Sequence, residues 1–69
     1  MTRITMDLRG LTPPEPMIRI LSALGDDEIE ATLPHQPVPL YAMLEERGYA
    51  HEVVRDEPGV CVVRIKRRP

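Results

Sequence analysis

Residues 9–17 read RGLTPPEPM and place three prolines within positions 13–16, directly ahead of an apolar periodic segment. Upstream, Ile4, Met6 and Leu8 alternate with Thr5, Asp7 and Arg9, the pattern of a strand with one buried face, and Gly10 ends it. Downstream, Met17, Ile20, Leu21 and Leu24 fall at i, i+3, i+4 and i+7, one stripe of an amphipathic helix that Gly25 terminates, with Ile18 widening the stripe at its start. The quoted stretch is therefore a strand-to-helix junction. The first amides of a helix lack an intrahelical acceptor, so proline there loses no hydrogen bond and presets φ. Pro13, Pro14 and Pro16 are all absorbed if the helix starts near residue 13 or 14. Thr12 as N-cap would pair with Glu15 in a capping box but leave Pro16 where a helical N–H is wanted, so Thr12 is read as adjacent to the helix.

The same logic extends along the chain. After the polar turn Asp26-Asp27-Glu28, Ile29, Ala31 and Leu33 alternate with Glu30 and Thr32 in a second strand stopped by Pro34. Gln36-Pro37-Val38-Pro39-Leu40 repeats the proline entrance, opening a helix with Leu40, Tyr41 and Leu44 inward and Gly48 as its C-terminal cap. Tyr49 to Arg55 and Val60 to Lys66 form a hairpin around Asp56-Glu57-Pro58-Gly59, with Cys61, Val63 and Ile65 sharing one face. In the third strand the inward set is Tyr49, His51 and Val53 or Ala50, Glu52 and Val54; the cost of burying Glu52 favours the first.

The order β-α-β-α-β-β with right-handed crossovers gives an α/β two-layer sandwich: a mixed four-stranded sheet with both helices on one face. The open face carries Thr5, Glu28, Glu30, Val60 and Val62, a candidate docking or dimer surface. Both helices start where the first two strands end, so both starts emerge along one edge, decorated by Arg9, Thr12, Pro13, Glu15, His35 and Gln36.

Composition bounds the function. Sixty-nine residues make one domain, residues 1–69, too small for a separate catalytic unit. No apolar run approaches the ~18 residues of a membrane span, and the alternating N-terminus is not a secretory signal, so the expected location is cytoplasmic. A single cysteine and two histidines supply neither a disulfide framework nor a metal-ligand set, and no cofactor or metal is expected. Net charge of −2 gives no global attraction to nucleic acid. The basic C-terminus, Arg64, Lys66, Arg67 and Arg68, is read as a solvated end, with RNA contact as an alternative; the absence of Phe and Trp removes the stacking platform that sheet-based single-strand binders use.

The segment DLRGLTPPEPMIRILSAL, residues 7–24, resembles the opening of the SirA/TusA-like sulfur-carrier proteins, in which an aspartate and an Arg-Gly-Leu precede Cys-Pro-x-Pro and an amphipathic helix. Asp7, Arg9, Gly10, Leu11, Pro14 and Pro16 match as they stand. The resemblance covers nearly the whole chain and implies the same element order and two-layer sandwich, related to the C-terminal domain of translation initiation factor three. Pro13 takes the place of the sulfur-accepting cysteine, so the carrier mechanism does not follow. The chain is most similar to a cysteine-less, domain-of-unknown-function branch, for which PHQPVPLYAMLEERG at residues 34–48 also looks typical. That branch implies an association with hemerythrin-like iron proteins and respiratory nitrogen metabolism.

Among individual residues, Cys61 alternates with Val63 and Ile65 and is read as an inert core thiol. His51 is read as structural, and His35 as bonding the loop backbone or contacting a ligand. Glu15 and His35 could form an acid/base pair, but no nucleophile or metal constellation accompanies them, so no enzyme is expected. The expected function is a non-catalytic binding module that recognises a protein partner or an anionic small molecule at the helix N-termini through Arg9, Thr12, Pro13, Glu15, His35 and Gln36. The alternatives are an accessory role in sulfur relay or redox and respiratory metabolism, and an RNA-contacting domain.

Overall fold

A computed structural model describes residues 2–69. It contains β1 (Arg3–Asp7), α1 (Glu15–Ala23), β2 (Glu28–Leu33), α2 (Val38–Glu46), β3 (Tyr49–Glu57) and β4 (Val60–Arg67). The sheet runs β1-β2-β4-β3, with β1 parallel to β2 and β4 antiparallel to both β2 and β3. This is the expected mixed four-stranded sheet in the order β-α-β-α-β-β, with both helices on one face.

Strand alternation becomes rows of side chains across the helix-facing side. Ile4, Ile29, Ile65 and His51 form one row, and Met6, Ala31, Val63 and Val53 the next. Ile20 of α1 and Leu40 and Leu44 of α2 close over these rows and are fully buried with Ile29, Val63, Cys61 and Ile65. The helices pack on the sheet rather than on each other. Tyr49 and Val53 point toward the helices as expected; His51 shares that face but lies at the sheet edge, where the Tyr41 ring stacks on it at 3.9 Å and 5°.

Four local readings change. Helix α1 begins at Glu15, later than residue 13 or 14, with Pro14 at φ −94° and ψ 17° as the flanking cap residue. Thr12 does lie outside the helix, with its carbonyl accepting the Glu15 N–H at 2.9 Å. The helix ends through Leu24 in an extended conformation (φ −61°, ψ 132°), so Gly25 is not a left-handed cap, whereas Gly48 and Gly59 both take φ 81°. Ile18 does not widen the buried stripe but is 55% exposed, its position falling on the far side of the helix from Ile20.

The last difference is a bulge. Val53 pairs with Val63 and Arg55 with Val62, so one residue of β3 is extra and the alternation inverts beyond it. Asp56 consequently pairs with Cys61 on the helix-facing side, and the connecting turn shrinks to Pro58-Gly59.

Candidate functional site

Because β1 and β2 are parallel neighbours, their ends and the helix entrances that follow lie on the same edge. Leu8 is buried and donates its N–H to Thr32 O at 2.8 Å, tying the exit of β1 to that of β2. The two entrances then face one another across a groove of about 260 Å³. Leu11, Met17 and Ile20 line it from the α1 side, Leu33 and Leu40 from the α2 side, and Pro13, Pro14, Pro16, Pro34, Pro37 and Pro39 complete the walls with His35 and Gln36. Ile18 and Val38, 55% and 60% exposed, sit in the first turns beside these lining residues.

The helix starts contribute few free donors. At α1, Thr12 O accepts from Glu15 N at 2.9 Å, Pro14 O accepts from Ile18 N at 3.1 Å, and Pro16 has no N–H. At α2, Pro37 O accepts from Leu40 N at 2.9 Å, and Pro39 again has none. Of the first-turn residues, Met17, Val38 and Tyr41 donate their amides in none of these bonds. Glu15 adds a negative charge to the first turn of α1.

The sequence-predicted residues separate into two groups. Pro13, His35 and Gln36 line the groove, whereas Arg9, Thr12 and Glu15 do not. Arg9 is committed to Asp7: Nε donates to Oδ1 at 2.9 Å, Nη2 to Oδ2 at 2.8 Å, and the backbone N–H to Oδ1 at 3.2 Å. Those hydrogen bonds hold the Asp7 carboxyl down at about 2 and raise the guanidinium. The Asp-x-Arg pair is thus an exposed clamp around the chain reversal after β1, not a groove cation.

Gln36 is oriented by two partners. Its Nε2 donates to Asp56 Oδ2 at 2.8 Å, and its Oε1 accepts from the Tyr41 hydroxyl at 3.4 Å. His35 Nδ1 lies 3.4 Å from Gln36 O. Sequence reading assigned Asp56 to the connecting turn; in the structure it belongs to β3, and the bulge, which no Gly or Pro of that strand signals, sets it on the helix-facing side. It also assigned Met17 and Leu40 to the buried helix stripes alone, since a stripe that is half core and half groove has the same 3.6-residue period.

Elsewhere, Cys61 is fully buried, and burial, followed by the charge of Asp56, pushes its thiol pKa up. Desolvation likewise raises Tyr41. Three C-terminal arginines have partners: Arg64 with Glu30 at 3.0 Å, Arg68 with Glu45 at 3.7 Å, and Arg67 with Asp26 and the Tyr49 hydroxyl. On the open sheet face Arg3 also reaches Glu28 and Glu30, at 3.7 and 3.5 Å, so charge alternates across the strands beside Val60 and Val62. Among the described residues no group of three or more potential metal ligands occurs, and no helix is long and apolar enough to cross a membrane.

Comparison with known proteins gives one match, to a family described as "Uncharacterized conserved protein (DUF2249)", over residues 5–67. No curated protein and no solved structure matches the chain.

Proposed function

The chain belongs to this family of uncharacterized conserved proteins, and we propose that it is a non-catalytic cytoplasmic interaction module whose groove between the two helix entrances docks an uncharged, apolar segment of a protein partner. The observation that carries the reading is the groove itself. Both proline-braced entrances line it, its walls are apolar, and several of the amides that would attract an anion are replaced by proline or bonded within the first turns, Met17, Val38 and Tyr41 being left. Of the two ligand classes expected from sequence, this favours the protein partner over the small anion, for which Arg9 at the clamp and Glu15 in the first turn offer little.

Magnitude points the same way. Burying ~200 Å² of apolar surface contributes about 5 kcal/mol at ~25 cal/mol/Å², comparable to the cost of association alone. The groove therefore anchors a larger contact and is a weak site for an isolated small molecule. Val38, exposed between the lining Pro37 and Pro39, adds apolar surface beside the groove. The accessory sulfur-relay reading draws less support, since Cys61 is sealed in the core, and so does the RNA reading, since Arg64, Arg67 and Arg68 are engaged within the chain.

Photo-crosslinking tests the proposal: a benzophenone side chain at the exposed position 39 and another at position 62 of the open sheet face are irradiated in the native cytosol. Protein adducts from position 39 and none from position 62 are expected. Adducts from position 62 alone would move the docking surface to the other side of the molecule.

A further inference from the structure

We infer that the occupant of the groove is an aromatic side chain presented by a different protein; this rests on the reading of the groove as an apolar docking site. The first argument is electrostatic complementarity. Six of the lining residues are prolines, whose ring C–H groups beside the amide nitrogen are electron-poor, and the face of an aromatic ring is its negative side. Pro-rich ligands lie in aromatic-lined grooves on the same principle, with the roles of receptor and ligand exchanged.

The second argument is rigidity. A proline side chain loses no rotamer entropy when it is covered, so flat, fixed walls suit a flat, rigid occupant with few torsions of its own. Polar satisfaction is the third. Gln36 already has partners for both ends of its amide, so the groove interior offers little to a side chain that needs several hydrogen bonds.

A second copy of this chain cannot supply the ring. It has no Trp and no Phe, Tyr49 is buried, and Tyr41 is stacked on His51. The aromatic must come from another protein.

The lack of tryptophan makes the test direct, because indole emission then reports the ligand alone. Acetyl-Gly-Trp-Gly-amide and acetyl-Gly-Leu-Gly-amide are titrated into the labelled protein at millimolar concentration, following indole emission and backbone amide shifts. The Trp peptide should shift its emission to the blue, move Leu11, Met17, Ile20 and Leu40, and bind about 3–10-fold more tightly than the Leu peptide. Pro39→Arg at the exposed groove wall should abolish that preference, while Val62→Arg on the open face leaves it intact. Equal or tighter binding of the Leu peptide overturns the aromatic assignment and leaves the apolar groove standing. If neither peptide moves the groove residues, both readings fall. Loss of binding in Val62→Arg but not in Pro39→Arg overturns the location.

Discussion

Gln36 at the mouth of α2 donates a 2.8 Å hydrogen bond to Asp56, twenty positions further along the chain on the edge strand of the sheet. The contact exists because the bulge between Val53 and Arg55 turns Asp56 to the helix-facing side opposite Cys61. Asp56→Ala is expected to cost about 0.5–1.5 kcal/mol of stability and to shift the side-chain amide signals of Gln36. Denaturant titration and a side-chain amide spectrum check both. Unchanged Gln36 signals would mean the contact is not made in solution.

The Asp7–Arg9 clamp sets a pH dependence. With its carboxyl held at about 2, below the ordinary 3.8, Asp7 contributes stability that is present above pH ~4 and is lost as pH falls from there toward 2. Carbon-detected titration of the Asp7 carboxyl should give a midpoint near 2, and Arg9→Gln should return it toward the ordinary aspartate range. Both groups are exposed, so added salt weakens the effect.

Cys61 is predicted to be silent toward thiol reagents in the native protein and to react fully only in denaturant, because burial both blocks access and disfavours the thiolate. Replacing it by Ser is expected to destabilise the fold by about 1–3 kcal/mol by burying a hydroxyl without a partner. Stoichiometric labelling under native conditions would return the sulfur-relay reading to consideration.

Helix positions that look alike in sequence should behave differently. Leu44→Ala removes a fully buried side chain and is expected to cost about 2–5 kcal/mol, a large part of the ~3–10 kcal/mol available to a domain of this size. Ile18→Ser, at a position 55% exposed, should stay within about 0.5 kcal/mol of the parent. Chemical denaturation of the two variants side by side decides this. A large loss for Ile18→Ser would place that side chain in the core.

The strand alternation of Ile29, Ala31 and Leu33, the i, i+3, i+4, i+7 stripe from Met17 and the paired proline entrances were enough to read the sandwich from sequence. These patterns are local and periodic, and the structure realises each. The bulge in β3 was not legible, because an extra residue leaves no compositional trace where Val53, Val54 and Arg55 all suit a strand, and Asp56 was lost with it. The Arg9 clamp was equally hidden: alternation places Asp7 and Arg9 on one side of the strand but does not say that Arg9 folds back on its neighbour instead of reaching the rim. The two proline entrances pointed to a rigid edge for a protein partner or a small anion, and on the proposed reading the same prolines, by removing donors, favour the first of these.

That proposed preference is the central claim, and a paired titration of the labelled protein with isopropanol and with sulfate tests it most directly. Isopropanol should move signals of Leu11, Met17, Ile20 and Leu40, while sulfate leaves the amides of residues 12–18 and 36–41 where they are. Saturable sulfate shifts at Met17 and Val38, with isopropanol shifts confined to the open sheet face, would contradict it.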